Sequence, residues 1–322
     1  MASIRLSTQA LSVKSKSSYG VYAWNKIRKC WQLYLLLALP IAWLAVFQYY
    51  PMYGAQIAFR DFLPGDSMWH AQWVGMDNFI RFFQSTMFSR LMQNTLGLSL
   101  YSLAVGFPIP ILLALSLNQL RAGIFKQSVQ MVSYAPYFIS TVVLVGMLLQ
   151  FLDLRHGPIN MFIQLLGNSP IHFMGDAKMF PSIYVWSGVW QYTGFNTVIY
   201  LAALATIDPA LHEAALVDGA NRVQRIWFID LPGILPTAVT LLILNMGQVI
   251  NVGFEKVYLM QNPLNTAISE VISTYVYKVG LIGGITNYSY AAAIGLFNSL
   301  IGMILLLAAN QLMKKLTNSS LW

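Results

Sequence analysis

Twenty consecutive residues, Trp31 to Tyr50, carry no charged side chain. As a helix rising 1.5 Å per residue, such a run crosses a hydrocarbon core of about 30 Å. Comparable runs follow at Leu91 to Leu120, Gln127 to Leu152, Pro181 to Ile207, Thr237 to Met260 and Ser289 to Leu312, and only the fifth contains charge, at Glu255 and Lys256 near its outer end. In lipid every backbone polar group must be satisfied internally, so helices are the natural spanning element. The pattern predicts an all-α, polytopic membrane protein with six transmembrane helices. Composition agrees: 9% of the residues are charged, against about 25% in soluble domains.

The first run is too long, and too far from the start, for a cleaved signal, and no small-residue cleavage pattern follows it. Residues 1–30 divide into a Ser- and Lys-rich flexible tail and, from Tyr19 to Lys29, an interfacial elbow helix whose aromatic rings and cations suit the headgroup level. Residues 31–315 form the transmembrane domain and 316–322 a C-terminal tail. The stretches 51–90, 153–180 and 261–288 read as loops, and Gly106, Pro108 and Pro110 kink the second span. Six spans put both termini on one side. Of the 19 Lys and Arg, twelve fall on that side, six on the other, and Lys256 lies in the fifth run. The positive-inside rule therefore places both termini in the cytoplasm. This topology accounts for the +8 formal charge, so no nucleic-acid partner is inferred. The single cysteine, Cys30, excludes an internal disulfide, and the four histidines show no paired ligand spacing. No metal site is expected.

The most polar internal stretch that still reads as helical is 208–236, DPALHEAALVDGANRVQRIWFIDLPGILP from Asp208. Asp208 can cap a helix, Pro209 suits its first position, and Gly219 can end it in the left-handed region. A second short helix is predicted from Asn221 to Asp230, broken by Leu231-Pro232-Gly233. Within this stretch Glu213, Ala214, Ala215, Asp218, Gly219, Ile229, Leu231 and Pro232 resemble the EAA signature of permease subunits of binding-protein-dependent ABC importers. Tyr53-Gly54-Ala55, Tyr134-Ala135-Pro136, Ile207-Asp208-Pro209 and Asn251-Val252-Gly253-Phe254-Glu255 resemble the polysaccharide and complex-oligosaccharide branch of the maltose-permease-like importers.

That resemblance implies a type I importer permease in the bacterial cytoplasmic membrane, working by alternating access. It implies a second, related permease subunit in a heterodimer, two copies of a cytoplasmic ATPase and an extracytoplasmic solute-binding protein. The solute implied is an oligo- or polysaccharide, acidic and alginate-like. Residues 208–236 become the coupling segment that docks on the ATPase. The chain lacks a G-x-x-x-x-G-K-[ST] phosphate loop, so no cofactor is expected in it, and ATP and Mg would sit on the partner ATPase. Buried ionisable relays, usual in proton-driven carriers, are absent from the apolar runs. The alternatives are a permease for another sugar or a sugar phosphate, a membrane-embedded enzyme acting on lipid-linked sugars, and a passive scaffold. The enzyme would need a carboxylate or histidine cluster that the sequence does not present.

Two sets of residues are candidates for the solute pathway. Asn245, Gln248, Asn251, Glu255 and Tyr258 keep a helical spacing through the fifth run and would share one face, offering amides and hydroxyls to sugar hydroxyls. The same residues could instead hydrogen-bond between helices. In the fourth run Trp186 and Trp190 share a face, where their indoles could stack on sugar rings or anchor at the interface, and Gln191, Tyr192 and Asn196 lie alongside.

Overall fold

The computed structural model describes residues 29–317, apart from 64, 66 and 283–285. The predicted N-terminal tail, all but the last residue of the predicted elbow helix, and most of the C-terminal tail lie outside the described residues. The chain divides into two compact units, residues 1–56 and 57–322. In the first, helix Trp31–Leu44 passes into a π-turn, Ala45–Tyr49, and a short helix, Tyr50–Met52. It is apolar all round and none of its residues is buried, the character of a helix solvated by lipid.

Among the described residues of the second unit the strands form one short hairpin, in which Arg60–Asp61 pairs antiparallel with Gln72–Trp73, and the rest is mainly helical. Arg60 pins the hairpin by donating to the carbonyls of Trp69 (3.3 Å) and Ala71 (3.1 Å). The loop predicted over 51–90 is therefore structured, and it also holds an amphipathic helix, Asp77–Gln84. From that helix Phe82 packs edge-on against Phe88 and Phe297.

Among the described residues four helices are long and apolar enough to cross a membrane, at Trp31–Phe59, Thr86–Asn118, Arg222–Gly247 and Tyr288–Lys315. Two bent pairs bring the number to six when each pair is one span. The pair Ile124–Phe138 and Thr141–Phe151 bends by 99°, so the third run is not the straight helix predicted from 127 to 152. The bend frees main-chain carbonyls that lipid cannot satisfy. Buried Gln191 answers this by donating to the Ile139 carbonyl at 2.8 Å. In the other pair, Phe180–Leu204 turns through 75° into Pro209–Val217.

Core clusters lie along the second to sixth spans: Leu98, Val145 and Val185 in one, Ala114, Tyr200 and Ile234 in another, and Val239, Ile243 and Ala309 in a third. The fifth span ends sooner than predicted. Its helix stops at Gly247, residues 248–253 are non-helical, and a separate helix, Phe254–Met260, follows. Asn251 and Gly253 are weak helix formers, and Asn245 and Gln248 carbonyls accept i+3 bonds of the tighter kind that close a helix. The predicted loop over 261–288 is likewise structured. Helices Thr266–Ser269 and Ile272–Tyr277 bury Ile272 and Thr274, and Lys278 pairs with Glu270 at 2.7 Å.

Candidate functional site: the loop between the fourth and fifth spans and a polar cavity

The loop between the fourth and fifth spans is built by local bonds. Asp208 adopts an extended backbone and its carboxylate accepts from the Ala210 N–H at 2.9 Å, with Pro209 opening the helix. At the other end Gly219 takes φ +80, a conformation that costs other residues about 1–2 kcal/mol. The Ala220 and Gly219 N–H groups bond back to the Ala215 and Leu216 carbonyls, the closure of a Schellman cap. Asn221 and Gln224 then exchange side-chain and backbone bonds in a capping box. Glu213, Ala214 and Asp218 are exposed on this helix. So are Leu216 (55%) and Val217 (89%).

The predicted break at Leu231-Pro232-Gly233 does not occur. The helix runs from Arg222 to Gly247, and a π-turn at Ile226–Asp230 precedes Pro232. The wider turn absorbs the missing N–H and the ring clash of proline without ending the helix. Ile229 and Leu231 are half-buried there and Pro232 is exposed.

His212, with no role assigned from sequence, locks this loop to the bundle. Its Nε2 lies 3.3 Å from Oδ1 of fully buried Asp230, which also accepts from Asn118 (3.4 Å) and Gln119 (3.0 Å) at the end of the second span. A buried carboxylate persists only when paired and hydrogen-bonded. The cluster ties helix Pro209–Val217 to the end of the second span and the start of the fifth. Its members come from stretches distant in sequence, 118–119, 212 and 230, and no local pattern announces it.

Between the second, third, fourth and fifth spans lies a cavity of about 550 Å³. Asn196, Asn245, Gln248, Asn251 and Glu255 all line it. Four of the five members of the predicted stripe thus converge, although not along one helix. Asn298 of the sixth span donates to Asn251 Oδ1 at 3.1 Å, and Asn251 donates to Gln248 Oε1 at 3.1 Å, an amide chain across the break. Tyr258 points elsewhere, stacked on Phe254 and edge-on to Tyr277. Trp186 and Trp190 do not line the cavity. They are about half exposed, at 53% and 50%, and the Trp186 indole N–H donates to the Tyr101 hydroxyl at 3.1 Å. Tyr184, Tyr192, Thr141 and Lys256 complete the polar wall. Lys256 turns inward instead of marking an outer end, with only 7% of it exposed.

Residues 106–318 match the model of a family described as binding-protein-dependent transport system inner membrane component. The chain belongs to this family. Protein LplB of Bacillus subtilis (strain 168) is 42% identical over 90% of this chain and 91% of its own length. The polygalacturonan/rhamnogalacturonan transport system permease protein YteP of the same strain is 41% identical over 88% of each. The crystal structure of a bacterial ABC transporter involved in the import of the acidic polysaccharide alginate superposes with a TM-score of 0.85 at 39% identity, covering 92% of this chain and 99% of that one. The permease is thus a multi-pass membrane subunit of an ABC importer, working with a binding protein and a separate ATPase. Its family and its relative YteP are described as transport-system components, which sets aside the enzyme and scaffold alternatives.

Proposed function

We propose that the permease carries an oligo- or polysaccharide with acidic, alginate-like units across the bacterial cytoplasmic membrane, with both termini in the cytoplasm. The observation that carries this reading is the convergence of Asn196, Asn245, Gln248 and Asn251 on one cavity. Amides both donate and accept, and so match the mixed hydrogen-bonding capacity of sugar hydroxyls. The kinship with YteP and with the alginate importer supports a saccharide over a sugar phosphate.

In this reading the chain is half of a heterodimer that encloses the pathway. Two copies of an ATPase, holding ATP and Mg, dock below, and a solute-binding protein docks above. Glu213, Ala214, Ala215, Asp218 and Gly219 form the docking surface, with exposed Leu216 and Val217 giving it apolar contact area. Ile229, Leu231 and Pro232 shape the exit, where the π-turn keeps the helix continuous into the fifth span. Closure of the ATPase moves the coupling helix, and the His212–Asp230 pair delivers that movement to the second and fifth spans. The cavity wall then opens outward to receive solute.

The test is affinity capture of the chain from detergent-solubilised membranes, followed by reconstitution of the captured complex. Recovery of an ATPase and a second six-span subunit, with uptake of an oligouronate by the proteoliposomes, is expected. Recovery of the chain alone defeats the heterodimer. Uptake of a sugar phosphate and no oligosaccharide defeats the solute assignment.

A further inference from the structure

The cavity wall carries a cation that neither the coupling loop nor the amide chain uses. We propose that Lys256 is the charge-selecting residue of the pathway, its ammonium being the place where a carboxylate of the solute, such as that of a uronic acid unit, is received. This rests on the saccharide reading above and names the group that distinguishes acidic from neutral solutes.

The position is built around the ammonium. Nζ donates to the Tyr184 carbonyl at 2.9 Å and lies 4.8 Å from the centroid of the Tyr184 ring. A Cβ on Gly188 would come within 3.3 Å of Nζ, so glycine there leaves the cation its room against the fourth span. An ammonium has three donors, and one goes to Tyr184. Among the described residues no carboxylate lies within 4.0 Å of it, the ion pairs being those of His156, His212 and Lys278. Glu255 also lines the cavity, but adjacent residues on a helix do not face one another, and its side chain is exposed. A cation so buried without a counter-charge is expensive inside a membrane protein and marks function. The surrounding Asn245, Gln248 and Asn251 are neutral and suit hydroxyls, which leaves Lys256 to answer a negative charge.

The competing role is mechanical, in which Lys256 only pins helix Phe254–Met260 to the fourth span. Lys256→Gln separates the two, because it keeps an N–H donor for the Tyr184 carbonyl and removes the charge; Lys256→Arg keeps the charge. The complete importer is reconstituted in proteoliposomes, and uptake of trigalacturonate and of its methyl ester is measured alongside complex yield and basal ATPase activity. The expected result is that Lys256→Gln lowers trigalacturonate uptake by at least about tenfold, leaves any ester uptake near wild type, and that Lys256→Arg restores most of the loss. Equal loss in the Gln and Arg variants, equal loss for both probes, or unchanged trigalacturonate uptake in Lys256→Gln overturns the assignment while leaving the saccharide reading in place. Wild-type importer that carries neither probe overturns the uronate reading and this one with it.

Discussion

The coupling loop and the break in the fifth span are both short, polar interruptions of an apolar chain, and they are held in opposite ways. The caps that shape the loop from Asp208 to Gln224 close within five residues, Asp208 to Ala210, Ala220 to Ala215 and Asn221 to Gln224, and His212 reaches beyond the loop to Asp230. The break from Gln248 to Gly253 is held from a distance. Asn298 reaches Asn251 across 47 residues, and Lys256 reaches Tyr184 across 72. Buried Val249, Ile250 and Val252 anchor it between them. The loop is thus a knob shaped by its own sequence, with Leu216 and Val217 exposed on it. The break is a wall whose shape belongs to the whole bundle.

The contrast is broken most severely at Gly219. Gly219→Trp forces a bulky residue to φ +80, and solute-stimulated ATPase activity of the assembled importer should be abolished while membrane insertion persists. Undiminished stimulation would separate the loop from coupling. Next in size, Asp230→Ala leaves His212, Asn118 and Gln119 without their shared acceptor. Loss of a buried pair on this pattern costs about 3–5 kcal/mol, read as a lowered melting temperature of the purified complex. His212→Ala with Asp230→Ala should recover part of that cost in a double-mutant cycle, and purely additive losses would dissolve the proposed lock.

A smaller effect is expected in the wall. Gln248→Leu with Asn251→Leu removes the amide chain to Asn298, and saccharide uptake should fall by about tenfold at unchanged complex yield. Individual interhelical hydrogen bonds in membranes contribute only about 0.6 kcal/mol, so loss of assembly instead would mean that these amides serve packing. The smallest change belongs to Trp186→Phe, which removes one exposed hydrogen bond to Tyr101. Uptake and stability should both stay within about twofold of wild type, and a collapse of uptake would return the indole to the pathway.

Legibility in the sequence followed the range of the forces. Asp208, Pro209 and Gly219 could be assigned cap, first turn and left-handed exit because each acts on its own neighbours. The polar stripe was legible as a set of residues that avoid lipid, and Asn245, Gln248, Asn251 and Glu255 do meet at one cavity. Its geometry was not legible. Helical spacing placed Tyr258 with the other four, whereas the chain unwinds after Gly247 and Tyr258 joins Phe254 and Tyr277. Gln191 read as a candidate for the wall and instead satisfies the bend at Ile139.

What the sequence determined by itself is the solvent and the secondary structure: charge-free runs of about twenty residues must lie in lipid, and in lipid they must be helices. It also determined the capped coupling loop, whose bonds span a few residues. Only the tertiary structure decided that Pro232 sits beyond a π-turn in a continuous helix, that His212 finds Asp230, and that Lys256 faces the cavity. Each of those outcomes depends on which groups from remote segments arrive to satisfy a backbone or a charge, and periodicity along one helix carries no record of them.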